Sequence, residues 1–248
     1  MPYKYEKVLV DYSDLASGRV FYSSPGYPAF PVRLASEIFQ RCMASRATIY
    51  KNATRCTLYD PCCGAAYHLS VLGYLHRKHI REIIGSDIDE KPVALAKRNL
   101  GLLGVAGLDQ RIDEITTMLE QYHKDSHKDA FKSAYILKNK ITAMLQEHPL
   151  VTRVFQASVA DNTTILKNIT AKSVDIVLTD VPYGQHSQWH GSDPNEFSNP
   201  VWSMLNALTD ILSPSSIVAI VSDKQQKVSM KVISALNNFK SENDEWFS

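Results

Sequence analysis

Thr57-Leu58-Tyr59-Asp60-Pro61-Cys62-Cys63-Gly64-Ala65-Ala66 is the stretch on which the fold turns. A short apolar run ends on a carboxylate, passes through a tight turn and enters an apolar segment with helical spacing. Such a turn sets backbone N–H groups at a helix start, where they face a ligand. Gly64 suits a close backbone approach, and Ala65 and Ala66 are small enough to keep the loop near whatever it holds. A second apolar run, Asp175-Ile176-Val177-Leu178-Thr179, ends on Asp180-Val181-Pro182-Tyr183-Gly184, with Asp180 placed 120 residues after Asp60.

Outward from these two runs the chain alternates. Thr57–Asp60, Ile83–Asp87, Val151–Ser158, Val174–Asp180 and Ile217–Ser222 read as strands. Ala65–His79, Glu90–Leu103, Asn162–Ile169, Pro200–Leu212 and Val228–Phe239 read as helices. Strands alternating with helices predict an α/β protein with a doubly wound, mostly parallel sheet, its motif-bearing strand ends on one edge. Before it, residues 1–30 are irregular. Pro31 then fits a helix start, and Leu34, Ala35, Ile38, Phe39 and Cys42 recur at helical spacing. Residues 106–147 show no strand signal. Ile112, Ile115, Met118, Leu119 and Tyr122, then Phe131, Ala134, Ile141, Met144 and Leu145, predict a helical insertion, read as a hairpin, within one crossover. The tail from Lys240 to Ser248 does not read as a closing strand pair, which predicts an open sheet edge.

Composition narrows the class. The 248 residues are enough for a full core. No apolar run spans a membrane and the first residues carry no signal-type core, so a cytoplasmic protein is expected. Cys42, Cys56, Cys62 and Cys63 form no metal-type pairs and read as reduced thiols. His123/His127 and His186/His190 have ligand spacing but no further ligands, so no metal is expected. A net charge of +1 excludes a polybasic surface. A nucleic-acid partner would need local patches, either His76-Arg77-Lys78-His79-Ile80-Arg81 or Lys124, Lys128 and Lys132.

The turn and the second carboxylate suggest a chemistry. Gly85-Ser86-Asp87-Ile88-Asp89 closes a strand with an acid about twenty residues after the turn, where ribose hydroxyls are held, and Ile88 suits an adenine face. The full G-x-G-x-x-G is absent, which disfavours NAD, and no P-loop lysine follows, which disfavours a nucleoside triphosphate. S-adenosylmethionine has no phosphates and fits. At the other run, Asp180 can accept hydrogen bonds from a base nitrogen. Pro182 stiffens the turn and aims a backbone carbonyl, Tyr183 can stack on the base, and Gly184 leaves room for its edge. Together the two sites predict methyl transfer to a base nitrogen.

Asp60-Pro61-Cys62-Cys63-Gly64, Ser86-Asp87-Ile88-Asp89 and Thr179-Asp180-Val181-Pro182-Tyr183-Gly184 resemble the signatures of class I S-adenosylmethionine-dependent methyltransferases acting on amino nitrogens. With Ser24-Pro25-Gly26, Ala29–Ala35, Glu37–Arg41 and Val71–Arg77 added, the chain resembles the avilamycin-resistance ribosomal RNA methyltransferases. That resemblance implies a Rossmann-like domain over residues 51–248, with its helical insertion at about 104–150, following an N-terminal segment and helix at 1–50. It implies a guanine of large-subunit (23S) ribosomal RNA as substrate, and ribosomal RNA or the large subunit as partner. Asp60, Pro61, Cys62, Gly64, Asp87 and Ile88 would surround the cofactor. Asp180, Pro182 and Tyr183 would meet the methyl acceptor, with Tyr183 and Gly184 against the base. Arg33, in a matched segment, would face the cofactor carboxylate or an RNA phosphate. Three departures stand out: Ala66 replaces a glycine, Ser158 stands where an acid follows the third strand with Asp161 near enough to substitute, and the C-terminal end is atypical. Adenine-N6 methylation of DNA and a non-catalytic RNA-binding or assembly role stay open as alternatives.

Overall fold

A computed structural model describes residues 3–26, 29–181, 200–221 and 232–234. Five strands run parallel: β1 (Cys56–Asp60), β2 (Ile80–Asp87), β3 (Val151–Gln156), β4 (Val174–Asp180) and β5 (Leu212–Val221). A sixth, β6 (Val232–Ser234), pairs antiparallel with β5, and the order is β3-β2-β1-β4-β5-β6. The chain winds outward from β1 to β2 and β3, then returns to β4 on the other side of β1. The gap between β1 and β4 is therefore the switch point, and their C-terminal ends share one rim.

Alternation along the strands explains why helices cover both faces. Leu58, Ile83, Ile176, Leu178, Ile217 and Ala219 enter one buried cluster, while Tyr59, Ile84, Val177, Val218 and Ile220 enter the other. The first face is covered by α1 (Val32–Ile49), α2 (Tyr67–Leu75) and α3 (Glu90–Gly101); the second by α6 (Asn162–Asn168) and α7 (Pro200–Leu208). Gly73 of α2 sits where a methyl would meet Ile83 Cδ1 at 2.7 Å, so glycine sets the helix-to-sheet approach.

The insertion is a helical hairpin in the β2–β3 crossover. It comprises α4 (Val105–Tyr122) and α5 (Asp125–Met144), with His123 in the left-handed region at φ 50° reversing the chain. Its buried faces carry Leu108, Ile112 and Ile115 against Ala134, Leu137 and Ile141, continuous with the core under α1 to α3.

Two expectations at the C-terminal side are corrected. The helix at Pro200 ends at Leu208 instead of reaching Leu212, because Pro214 removes a backbone donor and drives Ser213 extended, starting β5 early. The helix expected at Val228–Phe239 is contradicted at Val232–Ser234, which is strand. Its backbone pairs antiparallel with Ile217–Ala219, so the β5 edge predicted to be open is covered there. The rest of that segment, Ser222, the tail from Lys240 to Ser248 and the His186/His190 pair lie outside the described residues.

The far end of the sheet is held by charge. Asp175, at the start of β4, accepts from Arg46 Nη2 (3.0 Å), Thr57 N (2.9 Å) and Ser213 Oγ (3.1 Å), and pairs with Arg81 Nη2 (2.9 Å). Of the His76–Arg81 patch, Arg77 and Ile80 are buried, while Lys78 and Arg81 are exposed. Arg77 is buried on the carbonyls of His148 and Leu103, Arg81 is exposed and donates to those of Arg55 and Ser173, and Ile80 begins β2, so the segment lies at the edge opposite the rim. No helix among the described residues is long and apolar enough to cross a membrane.

Candidate active site

The rim is built from three strand ends. β1 delivers Asp60, which is wholly buried, and its Oδ1 accepts the Cys62 amide at 2.9 Å, closing the turn on itself. Gly64 lies at φ 50° and Ala66 at φ 53°, two left-handed residues that fold the turn back into α2. The Cys63 amide donates to the Ser86 carbonyl at 2.9 Å, and Gly85 lies directly beneath, where an added methyl would sit 2.9 Å from Cys63 Sγ. Asn99 fixes the turn's outer side by donating to the Ala65 carbonyl (2.9 Å) while bracketing Tyr22.

β2 delivers Asp87 beside this turn. Its Oδ2 accepts the Gly64 amide (2.9 Å) and its Oδ1 the Asp89 amide (3.1 Å). Burial pushes this carboxyl up from its ordinary range, against the two amides, which pull it down. Each oxygen retains a lone pair for a hydroxyl, and the residue is half-buried at the rim. Ile88 follows, half-buried, its carbonyl taken by Gln156 Nε2 at 2.7 Å. Pro61 is buried and Cys62 half-buried; burial, then the nearby Asp60 carboxylate, push the Cys62 thiol well above its usual range and keep it protonated.

Past β3, Ser158 is half-buried, and its hydroxyl accepts the Ala160 amide at 3.4 Å. Asp161 is exposed and caps α6, accepting Thr164 N at 3.0 Å and Thr164 Oγ1 at 2.5 Å. The Thr164 side chain and amide hold its carboxyl below the usual range. Its described bonds are therefore those of a helix cap.

β4 delivers Asp180 to the same rim. The pairs Leu58–Ile176 and Tyr59–Val177 set Asp60 alongside Leu178, so Asp180 reaches two residues further along its strand. Val181 continues the pairing by donating to the Val221 carbonyl at 3.1 Å. The sequence-predicted Pro182, Tyr183 and Gly184 lie outside the described residues.

Arg33 is engaged elsewhere. Its Nε donates to the Glu6 carbonyl at 3.0 Å, its Nη2 to the same oxygen at 2.5 Å, and its guanidinium lies 4.0 Å over the Tyr3 ring. These contacts are those of a clasp on the N-terminal segment. Lys124, Lys128 and Lys132 are exposed at and along α5, with Lys128 paired to Asp125 at 2.9 Å.

One residue at the site was not read from sequence. His68, in the first turn of α2, is buried with Nε2 3.0 Å from Asp60 Oδ2. The signal was a titratable side chain on a helix otherwise buried and apolar, Tyr67-His68-Leu69-Ser70-Val71-Leu72. Histidine spacing for metals could not find it. Among the described residues no cluster of His, Cys, Asp or Glu could hold a metal ion.

Comparison with known proteins bears on what this rim does. The family model described as "RRNA methyltransferase AviRa" matches residues 1–243. The chain is 40% identical over 238 residues, 96% of its own length and 91% of the relative's, to the 23S rRNA (guanine(2535)-N(1))-methyltransferase of Streptomyces viridochromogenes. A structure of the rRNA methyltransferase AviRa from that organism at 1.5 Å superposes with a TM-score of 0.77 at 40% identity, covering 90% of this chain and 86% of that one. A second at 2.4 Å gives 0.76, covering 89% and 85%. The carboxylate-lined switch point thus sits in a chain that matches these proteins in sequence and fold along nearly its whole length, and the protein belongs to the AviRa family of ribosomal RNA methyltransferases.

Proposed function

We propose that the protein transfers a methyl group from S-adenosylmethionine to the N1 nitrogen of a guanine in large-subunit (23S) ribosomal RNA. The observation that carries this reading is the shared rim: the small-residue turn after Asp60 and the carboxylate of Asp180 stand on adjacent parallel strands at the switch point. The activity named for the 40%-identical relative gives the acceptor atom.

The donor side fits a nucleoside without phosphates. Asp87 offers each oxygen's second lone pair to a ribose diol, and the turn from Asp60 to His68 contains no lysine or arginine to neutralise a phosphate. Ile88 supplies an apolar side for a purine. Asp60 acts through the Cys62 amide, since its own carboxylate is buried. Gly64 lets the backbone approach closely, with Pro61 and Cys62 forming the wall; Ser158 and Asp161 flank the adenine end. When bound, S-adenosylmethionine supplies an electrophilic methyl on a sulfonium.

On the acceptor side, guanine N1 bears a hydrogen, and its lone pair is delocalised into the ring. The Asp180 carboxylate accepts that N1–H hydrogen bond and orients the nitrogen. As the N1–carbon bond forms and the carbon–sulfur bond breaks, the ring becomes cationic and the N1 proton strongly acidic. It then passes to Asp180 Oδ and on to solvent, so a weak base is sufficient. The sequence after Asp180 offers Pro182 to stiffen the turn, Tyr183 to stack on the base and Gly184 to leave room for its edge. Positioning and preorganised charge, with no covalent intermediate, account for the acceleration. The target base must be exposed or flipped out of its stack. The lysines of α5 supply a local positive surface for the RNA backbone.

Asp180→Asn tests the assignment, because amide and acid have the same shape. Methyl transfer from labelled S-adenosylmethionine should fall by at least roughly a hundredfold while donor affinity by calorimetry stays within about threefold. Undiminished transfer by the variant would remove Asp180 from the chemistry.

A further inference from the structure

Buried polar atoms lacking an aligned hydrogen-bond partner are few among the described residues, and two of them meet at the switch point: Asp60 Oδ2 and His68 Nε2. They come from β1 and α2. Asp60 Oδ1 is occupied by the Cys62 amide, which leaves Oδ2 to meet His68 Nε2 at 3.0 Å. The strand register sets Asp60 beside Leu178, so a ring seated over Asp60 also meets the Leu178 carbonyl. Phe30 closes another side, its ring centroid 5.8 Å from that of His68.

The groups facing the imidazole are the Asp60 carboxylate from β1, the Asp180 carboxylate and Leu178 carbonyl from β4, and the Phe30 ring from the segment before α1. The polar ones all accept; none donates. A neutral imidazole would turn a lone pair toward one of these oxygens, and a charged one satisfies them. A lone buried carboxylate at Asp60 would be costly, and a paired one is not.

We propose that His68 is a positioning residue which, as an imidazolium, ties the donor turn of β1 to the acceptor strand β4 and fixes Asp60 and Asp180 relative to each other. The inference rests on the methyl-transfer reading above. Burial acts to lower the proton affinity of this ring, yet the bond and charge of Asp60, then the charge of Asp180, raise it overall. His68 touches neither reactant. It holds the angle between the two halves of the site, so its loss falls on turnover more than on donor binding.

The test has two arms. Imidazole NMR of the folded protein at pH 7.5 should show His68 protonated on both nitrogens, and Asp60→Asn should return it to the neutral form. His68→Gln should lower kcat by roughly ten- to a hundredfold with S-adenosylmethionine affinity within about threefold. A neutral His68 in the wild-type protein overturns the proposal even if no variant folds, as does a His68→Gln protein with full kcat. Wild-type protein with a charged His68 but no transfer to RNA would sink the methyl-transfer reading, and the His68 role with it. Active wild-type protein with a neutral ring would sink this role alone.

Discussion

Ala66 carries a methyl at φ 53° in a wholly buried position, where glycine would be free of strain. The left-handed conformation costs an L-residue about 1–2 kcal/mol, and the buried methyl recovers about 0.8 kcal/mol. The replacement of glycine noted in the sequence is thus nearly balanced: the turn keeps its shape, with Ala66 N donating to the Cys63 carbonyl at 2.7 Å. A β-branched side chain has no such balance. Ala66→Val should destabilise the fold by about 2 kcal/mol or more and weaken donor binding, as measured by urea unfolding and calorimetry. Unchanged stability would mean that the turn does not hold this conformation in solution.

At the scale of elements, the N-terminal segment is held by one carboxylate. Glu37 of α1 is buried and accepts the amides of Lys4 (2.8 Å), Tyr5 (2.8 Å) and Glu6 (2.9 Å), with Arg41 Nε at 2.7 Å. Burial alone would raise this carboxyl, but the three amides and Arg41 together carry it down to about 2 from an ordinary 4.5. Because the folded value is the lower one, the stabilisation is full above about 4.5 and is lost as the pH falls toward about 2. Amide exchange of residues 4–6 should therefore accelerate across that window while β1 and β4 stay protected longer. Simultaneous exposure of all of them would show that the clasp has no separate existence. The same scale shows what sequence could reveal. β4 was legible to the residue, because both its faces are buried and the apolar core Ile176–Leu178 is closed on each side by an acid, Asp175 and Asp180. The hairpin was legible through its two helical stripes. β6 was not, because three residues pair only where β5 offers an edge, and local periodicity carries no trace of that partner. Arg33 and His68 were illegible for a related reason. A side chain's partner lies elsewhere in the chain, and the spacing of neighbours does not reveal that Arg33 meets Glu6 or that His68 meets Asp60.

Taken whole, the molecule is a parallel sheet that gathers charge at both ends of its central strands. At one end Asp175 joins Arg46 and Arg81 and fastens α1, β1, β4 and β5 together. At the other, Asp60, Asp87 and Asp180 line a rim of carboxylates with His68 beneath it. The first set is matched by arginines and is structural; in the second, Asp60 is buried against His68, and Asp87 and Asp180 are the acids proposed to meet a ribose and a base nitrogen. The family relation gives the protein its chemistry, ribosomal RNA methylation, and that rim is where we propose it takes place. The most direct test digests 23S ribosomal RNA to nucleosides after incubation with the protein and isotopically labelled S-adenosylmethionine, followed by mass spectrometry. The account predicts labelled 1-methylguanosine at about one per RNA molecule, absent with Asp180→Asn. Label in another nucleoside, or none from folded wild-type protein that binds the donor, would contradict it.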